Sequence, residues 1–205
     1  MKFVEKHSRI LRLCHWLNFF FLFLMIWSGL LIYWAHQAYI EIPETFAEKV
    51  GIDHRLAEGM GWHFFIMWPF ALNGLIYVSY LILSGDWKNL LPDLRSFKEV
   101  IPVVLHDLKL RKHAPPARGK YNAAQRVAYF IVIVMGIGSL ITGLAIYKPV
   151  QVGWLTHLLG GYQAARLEHF ILMVGFVVFF FIHVTQVARA GWNNLRSMIA
   201  GYELE

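Results

Sequence analysis

Two histidines, His169 and His183, share one long uncharged stretch and stand fourteen residues apart. On a helix that separation is about 21 Å of axis, and the accumulated turn of about 1,400° falls within roughly 40° of whole revolutions. Both imidazoles therefore leave the same helix face, one near each end. Neutral imidazole is a good ligand for iron, so the spacing suits two metal centres stacked along one helix. Two further histidines, His15 and His63, lie near the starts of other uncharged stretches.

The elements that must carry these side chains follow from where the charges are not. Only 16% of the 205 residues are charged and 58% are hydrophobic. Uncharged runs extend over Leu13–Ile40 (28 residues), Gly59–Gly85 (27), Val127–Tyr147 (21) and His169–Ala188 (20). Roughly 20 apolar residues cross a bilayer as a helix, whereas a barrel strand needs only about 9–11. The chain thus reads as an all-α integral membrane protein: one domain, 1–205, forming a four-transmembrane-helix bundle. Spans are expected at about 14–35, 59–84, 125–147 and 167–189.

Basic residues set the orientation. With both termini and the 86–124 loop on one side, the segments flanking the spans there, taken through Arg126, hold 15 Lys and Arg, against four (Lys49, Arg55, Lys148, Arg166) on the other. The positive-inside rule then puts both termini in the cytoplasm of a bacterial inner membrane. The net charge of +6 is spread over loops beside spans, which argues against a nucleic-acid partner. The first span is longer than the apolar part of a signal peptide and no Ala-x-Ala-like site follows it, so it is read as retained.

Topology now pairs the histidines by depth. The first helix enters from the cytoplasm, so His15 is inner. The second and fourth enter from outside, so His63 and His169 are outer and His183 is inner. Two bis-imidazole sites result, His63 with His169 and His15 with His183. Six-coordinate haem of this kind suits electron transfer rather than oxygen chemistry. Cys14 is the lone cysteine and no Cys-x-x-Cys-His motif exists, so any haem is held non-covalently. A lone membrane histidine is ordinarily an interhelical hydrogen-bonding group. A proton relay is the competing reading, yet it usually wants Asp or Glu within the spans, and none is there. The dense His-x-x-His-His clusters of a membrane diiron enzyme are absent as well. His36, at the outer end of the first helix, could neighbour or replace an outer ligand. His7, His54, His106, His113 and His157 lie outside the spans.

The connections add detail. Pro43 starts a short element in the acidic outside loop 36–58. In the basic loop, apolar residues from Leu90 to Leu108 recur at helical spacing, with Pro92 and Pro102 breaking them into short amphipathic helices on the cytoplasmic face. Ala114-Pro115-Pro116-Ala117 marks a turn. Glycines at 29, 74, 136, 138, 143 and 175 permit close helix approach or room for a flat macrocycle. No internal repeat is evident. Before the third span, Gly119-Lys120-Tyr121-Asn122-Ala123-Ala124-Gln125-Arg126 places two amides and a phenol at the depth of the inner pair. These are either an ordinary helix start or hydrogen-bonding groups for a quinone carbonyl.

Arg12-Leu13-Cys14-His15-Trp16, the Gly119–Arg126 segment and the His169/His183 pair resemble the dihaem cytochrome b (gamma) subunit of membrane-bound formate dehydrogenases. Related b-type cytochromes of nickel–iron hydrogenases and thiosulfate reductase-like complexes look similar in outline. The resemblance implies two haems b, with His63 and His169 on the outer iron and His15 and His183 on the inner. It implies that Asn122, with Gln125 and Tyr121, contacts a quinone (menaquinone or ubiquinone). Periplasmic iron–sulfur and catalytic subunits, bearing molybdenum or tungsten or nickel–iron, would do the primary substrate chemistry. The loop 36–58 departs most from that pattern.

The expected function is a membrane anchor that moves electrons between a periplasmic oxidoreductase and the quinone pool at the cytoplasmic side. Inward electron movement works against a membrane negative inside, at about 2.3 kcal/mol per charge per 100 mV. The same scaffold serves a quinol-oxidising subunit of a periplasmic reductase, and a histidine-based proton-relay transporter is the rival from another class.

Overall fold

The computed structural model describes residues 3–37, 39–113, 115, 116, 119 and 121–204. Ala114, Ala117 and Lys120, which carry part of the expected turn and of the segment before the third span, lie outside the described residues. In chain order the elements are β1 (Phe3–Glu5), α1 (Arg9–Trp34), α2 (Glu44–Val50), α3 (Leu56–Ser84), α4 (Trp87–Leu90), α5 (Leu94–Asp107), α6 (Ala123–Tyr147), α7 (Gly153–Leu158), α8 (Tyr162–Ala190), α9 (Trp192–Ala200) and β2 (Tyr202–Leu204).

Four of these, α1, α3, α6 and α8, are long and apolar enough to cross a membrane. α6 and α8 cover their uncharged runs in full, whereas α1 ends at Trp34, six residues before its run does, and α3 ends at Ser84. Each begins among charged residues, which can sit at the polar boundary of a bilayer. Their outward sides are apolar: Phe23, Phe65 and Leu83 are 64%, 69% and 87% exposed. A row of aromatic and aliphatic surface on this scale calls for a lipid environment rather than water. Within α3 the helix runs through Pro69. That residue cannot donate to the Phe65 carbonyl, a loss membrane helices tolerate when neighbours or local adjustment make it good.

The chain divides into two compact units. The first holds the chain up to Tyr80 and from Gly191 onward. Ser8 caps α1 by accepting from the Leu11 N–H at 3.3 Å. Where α1 and α3 cross, Gly59 lies so close that a Cβ there would sit 2.6 Å from the Leu31 Cβ and 3.1 Å from the Ser28 carbonyl oxygen. α2, begun at Pro43 as the sequence suggests, packs its buried Ala47 with Leu31 and Ile52 against Trp27, Leu30, Trp34 and Ile42. Lower on α1, the buried Asn73 donates to the Cys14 carbonyl (3.0 Å) and to Asn18 Oδ1 (2.6 Å). The chain ends meet in an antiparallel ladder, Phe3 opposite Leu204 and Glu5 opposite Tyr202. Beside it, Arg12 donates to the Ile199 carbonyl (2.5 Å) and Trp16 Nε1 to the Met198 carbonyl (3.1 Å). This small ladder is an addition to the all-α expectation.

The second unit spans Leu81–Ala190. α6 and α8 pack through small residues: a Cβ on Gly138 would stand 3.2 Å from Leu172 Cδ1, and one on Gly175 2.9 Å from Met135 Sδ. At one end Ala145, Leu155 and Ala165 form a buried cluster, with Thr156 donating to the Ala145 carbonyl at 3.2 Å. At the other, α5 lies against α6. Asp93 caps α5 by accepting from the Ser96 N–H (2.7 Å) and hydroxyl (2.6 Å). Pro92 does separate α4 from α5, but Pro102 does not break the chain as expected; α5 runs unbroken through it. Only the bond to the Lys98 carbonyl is forfeited, at an exposed residue where water can replace it. The outward side of α5 carries Leu94, Phe97, Ile101 and Leu105, all exposed, the amphipathic pattern of a helix lying at a membrane surface.

Candidate functional site

The four span histidines stand on three helices: His15 on α1, His63 on α3, His169 and His183 on α8. All four are partly buried.

His63 and His169 each meet a hydroxyl on a neighbouring helix, and the His169 ring is also hydrogen-bonded to the Ser139 carbonyl. His63 Nδ1 lies 3.0 Å from the Ser28 hydroxyl of α1, and His169 Nδ1 lies 2.9 Å from the Thr142 hydroxyl of α6. Each hydroxyl also donates back along its own helix, Ser28 to the Leu24 carbonyl (2.7 Å) and Thr142 to the Gly138 carbonyl (2.8 Å). A hydroxyl has one proton. Where that proton stays on the carbonyl, the hydroxyl oxygen accepts and the imidazole donates from Nδ1–H. The lone pair is then on Nε2 in both rings, the tautomer that binds a metal through Nε2.

Each hydroxyl is followed by a glycine that touches the same ring. A Cβ on Gly29 would stand 3.6 Å from His63 Cε1, and one on Gly143 3.3 Å from His169 Cε1. Two of the six glycines noted from sequence, Gly29 and Gly143, thus lie against imidazoles, and Gly143 is the tighter.

At the other ends the contacts are aromatic. His15 meets Trp16 edge to face at 5.3 Å between centroids, and His183 stacks on Phe179 at 5.6 Å and 16°. His36 is exposed in the turn after α1. It lies eight residues beyond Ser28, about 12 Å further along the axis than the level at which His63 is held.

The Asn122 segment forms a reciprocal helix cap. Asn122 Oδ1 accepts from the Gln125 N–H (2.9 Å), and Gln125 Oε1 accepts from the Asn122 N–H (3.0 Å). Both side-chain oxygens are used in this capping box, and the two amide NH₂ groups are left as donors. Tyr121 packs edge to face on Tyr129 at 5.1 Å. Arg126 donates to the Leu91 carbonyl and stands 3.9 Å from Asp93. The cleft among Asp93, Ser96, Tyr121 and Arg126 holds about 10 Å³, enough for a water and not for a ring.

Sequence reasoning missed Ser28, Thr142 and Asn73. A hydroxyl in a membrane helix ordinarily bonds its own helix, so nothing in a single stretch marks it as a partner for a histidine elsewhere. The recurring hydroxyl–glycine pair was the available signal, though Ser84-Gly85 has the same form at a plain helix end.

A neutral imidazole with a tied Nδ1–H and an Nε2 lone pair is what a haem ligand requires, and at His169 the absence of a Cβ on Gly143 spares the ring a tight contact. The residues therefore fit b-type haem.

Comparison with known proteins points the same way. Residues 6–201 match the family model described as prokaryotic cytochrome b561. A protein of Azospira oryzae named as protein-methionine-sulfoxide reductase subunit YedZ1 is 36% identical over 198 residues, 96% of each chain. With four long apolar helices and a match across nearly its whole length, this chain belongs to the prokaryotic cytochrome b561 family of membrane-embedded, electron-transferring b-type cytochromes.

Proposed function

We propose that the chain is a dihaem membrane subunit that carries electrons between the quinone pool and a partner oxidoreductase on the periplasmic side. The observation that carries this is the matched pair of seats, Ser28–His63 and Thr142–His169, each setting Nδ1 against a hydroxyl that also donates to its own helix and so leaving Nε2 for a metal. His63 and His169 hold the outer haem, and His15 and His183 the inner one. Haem held by these residues would supply reversible one-electron transfer.

The rest is done by the chain itself. Asn122 and Gln125, with their oxygens spent on the helix cap, offer only N–H donors, which suit a quinone carbonyl. Tyr121 stands beside them with a phenolic hydroxyl. The narrow cleft behind means that the quinone ring meets these groups from the lipid side. The basic loop 86–124 and both termini face the cytoplasm, so protons exchanged with quinone belong to that side.

The relative's name gives a reductase as its partner, and this favours the quinol-oxidising direction, with a periplasmic reductase as acceptor, over the formate dehydrogenase and hydrogenase partners that the family resemblance suggested. Outward electron movement also runs with a membrane potential negative inside, a gain of about 2.3 kcal/mol per 100 mV for a full crossing.

The test is spectroscopic. Purified protein should show a b-type α-band in the reduced-minus-oxidised spectrum and two haems per chain by pyridine haemochrome. His183→Ala and His63→Ala should each lose one haem. Full haem occupancy in either variant would overturn the ligand assignment.

A further inference from the structure

The two hydroxyl–glycine seats do more than fill space, and the chain's topology makes them a repeated device. On α1, Ser28-Gly29 serves His63; on α6, Thr142-Gly143 serves His169. The helices involved differ, the sequence around the seats differs, and the histidines lie 35 and 27 residues from their hydroxyls. The chemistry is the same in both. An i−4 carbonyl takes the hydroxyl proton, the hydroxyl oxygen takes the imidazole Nδ1–H, and the following glycine lies against Cε1 of the same ring.

We infer that Ser28 and Thr142 are positioning residues that set the tautomer, the ring orientation and the donor strength of His63 and His169 as iron ligands. This rests on the assignment of those two histidines as axial ligands. Each hydroxyl is at once an acceptor and a committed donor. Relaying its proton to the Leu24 or Gly138 carbonyl polarises the oxygen, and chains of hydrogen bonds strengthen one another in a low-dielectric interior. A stronger acceptor at Nδ1–H makes Nε2 a better electron donor, which favours ferric over ferrous iron. Each seat thus holds its iron at a lower potential than an imidazole without such a partner would.

Ser28 is fully buried and Thr142 nearly so, at 0% and 3% exposure. Water therefore does not replace either hydroxyl in the folded protein. Phase supports the same role for Gly29. It lies fourteen residues from His15 on α1, within roughly 40° of the same face, so the glycine facing His63 shares the side from which His15 projects.

The experiment uses the haem-loaded protein in detergent or nanodiscs. Ser28→Ala and Thr142→Ala should each raise the midpoint potential of one haem in a spectroelectrochemical titration. Each should also speed loss of that haem to apomyoglobin about ten- to a hundredfold, the usual cost of deleting a second ligand-orienting group. Ser28→Thr and Thr142→Ser keep the hydroxyl and should restore both readouts toward wild type, which a packing defect would not do. His63→Ala and His169→Ala serve as the reference. If these lose a haem while the alanine variants at 28 and 142 leave potential and retention unchanged, the positioning role is wrong and the ligands stand. If they keep full haem, the ligand assignment itself falls.

Discussion

Asn122 performs two tasks with opposite ends of one amide. Its oxygen caps α6, and its nitrogen is the proposed quinone donor. Asn122→Ala would remove both and cost about 1 kcal/mol of helix-end stability, so a slower enzyme would be ambiguous. Asn122→Ser keeps a capping oxygen and deletes the amide donors. It should leave the haem spectrum and thermal stability near wild type while slowing quinol turnover; unchanged turnover would move the quinone site elsewhere. Asp93 offers a pH handle at the same end. The Ser96 hydroxyl and N–H, with Arg126 close by, hold its carboxyl below the usual carboxylate range. A depressed folded value means the cap contributes fully above the unfolded pKa of about 3.9. That contribution is lost as pH falls through the folded value. The Ser96 amide resonance should therefore titrate in acid in the wild type and stay flat in Asp93→Asn, which caps without a charge. Of these details the sequence showed the residues and their depth. It did not show which atom of Asn122 is spoken for, because that depends on the backbone of Gln125.

Among helices, glycine contacts differ in what a methyl group would strike. Gly59 faces the Cβ and backbone of α1, which cannot yield, so Gly59→Ala should destabilise the first unit by about 1–3 kcal/mol through overpacking. Gly175 faces the thioether of Met135, a side chain that can swing aside. Gly175→Ala should cost much less, and thermal melts of the two variants in the same detergent test the difference. Equal losses would mean that the crossing at Gly59 is looser than its geometry. Long helices were plain in the sequence because four runs without charge leave few other folds. The fate of Pro102 was not, since a proline predicts a lost bond and only the surroundings decide whether the helix survives it. Nor could periodicity reveal that Asn73 bonds back to Cys14 and Asn18 across 59 and 55 residues.

For the molecule as a whole, the distribution of Lys and Arg predicts a side for the chain ends. A fluorescent protein fused after Glu205 should fold and fluoresce in the cytoplasm, and alkaline phosphatase fused there should be inactive. Active phosphatase would reverse the orientation and with it the side of the quinone site. The meeting of the two ends was invisible beforehand, because three-residue strands carry no periodic signal and their partners are about 200 residues apart. That separation has a consequence for biogenesis. During synthesis Phe3–Glu5 emerges long before its partner strand and cannot form this ladder until Tyr202–Leu204 leaves the ribosome, after every span has had its chance to insert. Arg12 and Trp16 likewise wait for the carbonyls of Ile199 and Met198. The start of α1 is thus fastened last, and the clasp closes only on a chain whose spans have all been threaded an even number of times. A protein that skipped one insertion would present its two ends on opposite faces of the bilayer, unclasped and open to proteases on both sides.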